Sequence, residues 1–320
     1  MLAQCSTALS RSEIWNCAEL ILGEDTYSFA KIFGMNLARQ LGSEIPLRCV
    51  GIDFSGNFRM WSSGCGKSNI WIAETEFSIS KPRLVNLRRV QQLEGDGNAF
   101  TRLVQYLRRA DFEVAAIDAP FSVLAEYLPL KRHRTLLELV ANIKLKGPRP
   151  FPLAQDFVDR VLEGISPVTK KPLRQTEEYW KQRKVNVRST LWAGPRGGAA
   201  MTAACLKLLF EADCPIWPWK KHGPRLVVEA FPAAQLCQWG LPHEAYNRST
   251  DKETAIRGAL VRSLETRIEL GNFSGMLEHC ADALDAVVCA FAANAVATGH
   301  ALSYAEDWLD TEGLIAVAST

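Results

Sequence analysis

Five acidic residues stand where acids are idle or costly unless they act together. Three apolar runs each end in one acid: Val50-Gly51-Ile52-Asp53, Ala115-Ala116-Ile117-Asp118 and Val227-Val228-Glu229. Asp282 and Asp285 lie three apart in the run from Asp282 to Phe291, which is otherwise apolar. That spacing puts both on one helix face. A lone acid at a strand end is ordinarily a turn or cap residue, and Asp282 alone would suit a helix N-terminus. Asp285 lies one turn inside an apolar helix, where a carboxylate costs stability unless something pairs with it. Carboxylates brought together raise one another's pKa. A divalent cation relieves that repulsion, and an all-oxygen donor set favours Mg²⁺ or Mn²⁺. Two such ions about 3.5–4 Å apart can activate water and stabilise a leaving oxygen in phosphodiester cleavage.

Other groups carry weaker signals. His279 precedes the acidic helix and is a candidate acid or base, although a histidine there more often caps a helix. Residues 121–225 hold 19 Lys and Arg against 9 Asp and Glu, a net +10 in a chain of net +2. A basic segment beside an acidic remainder suits a polyanion held by one part and metal ions by the other. Within it, Arg149, Arg183, Lys184 and Arg188 are the candidate nucleic-acid contacts, interleaved with Trp180, Trp192, Trp217 and Trp219 as rings that could stack on bases. A solvated basic face and a packed Trp217-Pro218-Trp219 loop are the plainer alternatives. Gly64-Cys65-Gly66-Lys67-Ser68 ends like a phosphate loop, but Trp61 stands where the motif needs glycine, so a strand-connecting turn is expected. No Ser-His-Asp or Cys-His arrangement has supporting context.

These groups need elements to position them. Segments 47–56, 69–77 and 83–90 read as three strands of an antiparallel meander. A helix follows with Phe100, Leu103, Val104, Tyr106 and Leu107 on one side, then a strand closed by Pro120, and much later a strand closed by Pro232. In a mostly parallel α/β sheet, carboxyl ends of strands gather along one edge, and sites form there. A buried helix from about His279 and a short strand at 314–317 complete the pattern. The domain reading is an N-terminal helical extension over 1–47, a core over 48–120 and 225–320, and a basic, mostly helical insertion over 121–224.

Composition sets the outer limits. In 320 residues, 48% are hydrophobic and 22% charged, which is globular usage and excludes whole-chain disorder or coiled coil. No bilayer span is expected, and no basic segment followed by an apolar run marks a secretory signal. Nine cysteines without a C-x-x-C pair read as reduced thiols. A cytoplasmic protein without membrane contact is expected.

The order of the pieces is the strongest signal. The chain resembles the family known as domain of unknown function 429, read as predicted nucleases with a ribonuclease H-like fold. The resemblance rests on Val50-Gly51-Ile52-Asp53-Phe54-Ser55-Gly56, Ala116-Ile117-Asp118-Ala119-Pro120-Phe121, Glu229-Ala230-Phe231-Pro232-Ala233-Ala234 with Gln238-Trp239-Gly240-Leu241-Pro242, Asp282-Ala283-Leu284-Asp285-Ala286, and the closing Glu312-Gly313-Leu314-Ile315. It spans about residues 48–318. It implies an α/β fold, with a mixed five-stranded sheet flanked by helices and a long helical insertion. It also implies a two-metal site, with Asp53 bridging both ions, Asp118 ligating from the fourth strand, Asp282 and Asp285 holding the second ion, and Glu229 at the edge. The chain departs from the family pattern at Arg188-Ser189-Thr190-Leu191, where similar sequences read Arg-x-Thr-Asp. The expected function is therefore a Mg²⁺- or Mn²⁺-dependent nuclease acting on DNA or RNA, with a homodimer compatible. The alternatives are an ATP-dependent phosphotransferase of the actin-like or sugar-kinase type, suggested by Gly51-Ile52-Asp53-Phe54-Ser55-Gly56, and a nucleic-acid binder without catalysis.

Overall fold

The computed structural model describes residues 46–319 apart from 79–80, 167–168 and 305–307. The expected helical extension over 1–47 falls almost wholly outside the described residues.

The three meander strands form as read: β1 (Leu47–Asp53), β2 (Trp71–Phe77) and β3 (Arg83–Arg89). Helix α1 (Ala99–Arg109) buries Phe100, Leu103, Val104 and Leu107 at helical spacing, capped by the Asn98 side chain on the Thr101 N–H. It leads to β4 (Val114–Asp118). Four helices follow: α2 (His133–Ala141), α3 (Ala154–Val161), α4 (Gln175–Gln182) and α5 (Ala199–Ala212). Then come β5 (Leu226–Ala230), α6 (Pro232–Gln238), α7 (Asp251–Glu265), α8 (Ser274–His279), α9 (Ala281–Thr298) and α10 (Leu309–Glu312). Residues 314–317 do not make the expected strand. They contribute one parallel bridge, Ala316 to Ala230.

The five strands make one mixed sheet in the order β3-β2-β1-β4-β5. β1–β2 and β2–β3 are antiparallel, whereas β1–β4 and β4–β5 are parallel. The chain leaves β1 in one direction and returns on its other side, so the sheet order reverses between β1 and β4. A crevice outside the carboxyl ends of those two strands is where an open α/β sheet forms a site.

Period-two alternation divides the core in two. Val50, Ile52, Ile117 and Val227 face α1, α2, α3 and α5. The segment read as an insertion therefore supplies much of one helical layer. Trp71, Ala116 and Val228 face the other way, against α7 and α9. Helix α9 is long and apolar enough to cross a membrane, and its burial against the sheet accounts for that composition.

One contact sets how closely α9 seats. Gly51 pairs with Ala73 on one side and Ala116 on the other, a row of small residues across three strands. A Cβ at Gly51 would lie 1.9 Å from the Ala286 carbonyl oxygen and 2.5 Å from the Ala290 nitrogen. Glycine is required because the α9 backbone rests directly on the strand. Asp53 lies two residues along β1 on the same face, and Asp285 immediately precedes Ala286 on α9.

Candidate metal centre

Asp53 and Asp118 end adjacent parallel strands and are directly opposite each other in the register. Their side chains therefore leave the same face of the sheet, toward α9. Asp285 comes from the first turns of that helix. The three carboxylates offer oxygens that all lie within 4.8 Å of one another. Asp53 and Asp285 are buried.

The electrostatics follow from that crowding. Burial first, then the charges of Asp118, Asp285 and Asp282, hold Asp53 well above the ordinary carboxylate range. Asp118 is pushed up to about 7 by burial, aided by Glu229 and Asp282 and opposed by the Arg188 guanidinium. Asp285 is held well above its ordinary value by burial, with Asp118 and Asp282 adding to it and the Tyr246 hydroxyl opposing. Three crowded carboxyls that resist ionising together form a site whose charge a cation would compensate. The donors are all oxygen, which suits Mg²⁺ or Mn²⁺ rather than a soft metal.

Asp282 stands apart from the three. It is half-buried, one turn nearer the start of α9, and its charge acts on Asp53, Asp118 and Asp285 alike. Burial raises its own pKa, while Arg89 and Arg257 pull it down.

Glu229 is a correction. It pairs in register with Ile117, while Asp118 pairs with Ala230, so its side chain leaves the opposite face of the sheet. There it meets Arg174, which is 1% exposed, through bonds of 2.8 and 2.5 Å. Glu177 takes the same guanidinium at 3.0 Å. Glu229 also accepts the Phe121 N–H at 2.9 Å, and the Phe121 carbonyl accepts from His133 Nε2 at 2.7 Å. A carbonyl only accepts, so that ring nitrogen carries the proton. Glu229 thus clamps the chain leaving β4, three residues past Asp118, and does not join the acid cluster. His279 is exposed at the end of α8, three residues before Asp282, and its side chain has no hydrogen-bond partner among the described residues.

Of the four candidate cations, Arg188 is the one whose charge acts on the cluster, through Asp118. It is exposed and has no ion-pair partner among the described residues. Arg149 lies over the Phe58 ring at 3.8 Å, and Arg183 lies over Tyr179 at 3.5 Å. Lys184 is exposed in the left-handed region, with φ of 65°. Where the family pattern has Asp after Arg-x-Thr, Leu191 is buried in the core. The tryptophans are mostly occupied within the fold. Trp180 is fully buried against Tyr304, and Trp219 stacks on His133 at 3.6 Å.

Two residues of the site carried no sequence signal. The Tyr246 hydroxyl donates to Asp285 Oδ1 at 2.8 Å. Arg257, buried in α7, holds the carbonyls of Tyr246, Arg248 and Glu278, fixing the loop that delivers that hydroxyl. Neither lies in a motif, and the partners just named are 9 to 39 residues away.

Among known proteins, the profile of one family, described as Protein of unknown function (DUF429), matches residues 72–308. No curated protein and no solved structure matches the chain. The match spans most of the sheet and the acidic helix, and the chain belongs to the DUF429 family.

Proposed function

We propose that the protein is a divalent-metal-dependent nuclease built on a ribonuclease H-like core. The observation that carries this reading is the meeting of Asp53, Asp118 and Asp285 within 4.8 Å, at the edge where the sheet order reverses. The order β3-β2-β1-β4-β5, with β2 antiparallel to its neighbours, supports the ribonuclease H-like reading.

Asp53, Asp118 and Asp285 would hold Mg²⁺ or Mn²⁺, with Asp282 one turn away as the fourth carboxylate. The three-carboxylate donor set fits such an ion. When bound, divalent ions supply an activated water and charge neutralisation at a phosphodiester. The protein contributes the positioning. Tyr246 orients Asp285 by its hydrogen bond, and Gly51 lets α9 approach closely enough to bring Asp285 to the strands. Arg188 offers an unpaired cation beside Asp118 for the anionic substrate.

The test is cleavage of a panel of single-stranded, duplex and junction DNA and RNA with Mg²⁺ or Mn²⁺. Metal-dependent cleavage that Asp53→Asn lowers by at least about 10³-fold, with the circular dichroism spectrum unchanged, is the expected result. Undiminished cleavage in that variant removes the site, and no cleavage of any substrate by the wild-type protein removes the function.

A further inference from the structure

Two buried donors beside the acid cluster have no hydrogen-bond partner among the described residues. Trp71 sits directly opposite Asp53 across β1–β2, and Arg89 sits opposite Trp71 across β2–β3. In-register residues share a face, so Asp53, Trp71 and Arg89 form one row on the α9 side of the sheet. The Trp71 residue is 5% exposed, and its Nε1 has no hydrogen-bond partner; the Arg89 Nε is likewise buried and unpaired. The Arg89 guanidinium lies over the Trp71 ring at 4.9 Å, and its Nη1 donates to the Gly66 carbonyl at 2.9 Å. Its charge reaches Asp282 and Cys280 at the start of α9. The group therefore borders the acid cluster on its β2–β3 side.

A buried N–H without an acceptor is costly, and native proteins leave few of them. Both orphans here are donors, and one belongs to a cation held in place by a ring beneath it and a carbonyl at its end. Indole and guanidinium donors with a fixed positive charge match an acceptor-rich anion, above all a phosphate. The Gly64–Ser68 turn has a part in this. It supplies no phosphate cradle of its own; through the Gly66 carbonyl it anchors the arginine.

We propose that Trp71 and Arg89 form a phosphate-binding subsite that takes a backbone phosphate of the polynucleotide next to the one at the acid cluster. The proposal rests on the nuclease reading for the identity of its ligand. It directs the strand over the β2–β3 edge of the sheet, away from the basic 121–224 segment except at Arg188.

The test uses full-length protein labelled with ¹⁵N-tryptophan, with the Trp71 indole resonance assigned by Trp71→Phe. The probes are a single-stranded 12-mer in Ca²⁺ and inorganic phosphate alone. The 12-mer shifts the Trp71 N–H resonance, and phosphate shifts the same resonance at higher concentration. In fluorescence anisotropy, Arg89→Met weakens binding of the 12-mer about tenfold and lowers its salt slope by about one. Trp71→Phe keeps the ring under the guanidinium but removes the N–H, and weakens binding three- to fivefold with the slope unchanged. A Trp71 resonance that neither probe moves overturns the proposal. So does a shift with phosphate alone when both variants bind the 12-mer like wild type. Cleavage is scored separately. A Trp71 response and weakened variants without any cleavage support the subsite while removing the nuclease reading. Cleavage with unaltered 12-mer binding in both variants overturns the subsite and leaves the nuclease reading in place.

Discussion

Replacing Asp285 by Asn should stabilise the metal-free protein. Asp285 faces two carboxylates within 4.8 Å. Two unit charges at that distance repel by about 3.5 kcal/mol at an effective dielectric of about 20, so two fully ionised pairs would repel by about 7 kcal/mol or more. The cluster does not reach it, because its carboxyls take up protons first. Asp118 is pushed up to about 7, against about 3.9 in the unfolded chain, and each unit is worth about 1.4 kcal/mol. At pH 8 that makes the folded state poorer by on the order of 4 kcal/mol, and this smaller figure governs. Asp285 is itself held well above its ordinary value, by burial first and then by Asp118, and a neutral amide removes that penalty, so the variant should gain on the order of 2 kcal/mol. The asparagine amide retains a carbonyl oxygen to accept the Tyr246 hydroxyl, now at 2.8 Å, so little is lost in return. Thermal unfolding followed by circular dichroism at pH 8 in EDTA should show the variant melting roughly 4–8 °C above wild type. Mg²⁺ or Mn²⁺ should then reverse the ranking. Wild type gains about 2.7 kcal/mol at a hundredfold excess over Kd, and the variant gains little. A variant that melts at or below wild type in EDTA, or that responds equally to the ions, refutes the crowded-carboxylate account.

The same cluster fixes the sign of the pH dependence. With pKa values raised in the folded state, the native protein binds protons that the unfolded chain has released, so metal-free stability falls as pH rises from about 4 through about 7, where Asp118 gives up its proton. Urea titrations in EDTA at pH 5 and 8 measure the fall, which saturating Mg²⁺ should reduce. Gly51→Ala should cost about 3 kcal/mol or more, because the added Cβ meets α9 backbone atoms at 1.9 and 2.5 Å. Gly64→Ala, with no atom within 4 Å of its Cβ, should stay within about 0.5 kcal/mol in the same denaturant assay. Glu229→Gln leaves buried Arg174 with Glu177 alone and should cost about 3 kcal/mol. Because Glu229 lies on the opposite sheet face, Mg²⁺ affinity by calorimetry should stay within about threefold of wild type.

What the sequence disclosed and what it hid divide along physical lines. Asp53 and Asp118 were legible because an apolar run has to stop somewhere, and an acid at the stop marks the end of a strand. Asp285 was legible because a carboxylate inside an apolar helix needs a reason. Gly51 gave no comparable sign: the close seating of α9 depends on Ala73 and Ala116 flanking it in register, which a linear sequence does not display. Tyr246 and Arg257 lay hidden because they act through a loop whose path is set by carbonyl acceptors, and any residue has a carbonyl. The 121–224 segment looked like an addition because it broke the strand–helix alternation. Its apolar spacing at Leu136, Leu137 and Val140, and again at Phe157 and Val161, was that of helices covering a sheet.

Glu229 shows why a strand-final acid cannot be assigned from its own strand. Its sequence context matches that of Asp118: an apolar run, then an acid, with proline two or three residues beyond. Both strands are parallel neighbours, and both acids end up buried or nearly so. The difference is a stagger of one residue: Ile117, not Asp118, faces Glu229. With a side-chain period of two, that stagger exchanges the faces of the sheet. One acid turns toward α9 and two other carboxylates; the other turns toward Arg174. The same residue type at the same kind of strand end becomes a charge left for a cation to compensate in one case and half of a satisfied ion pair in the other. The pairing partner decides which, and the register that selects the partner is fixed only when the sheet forms.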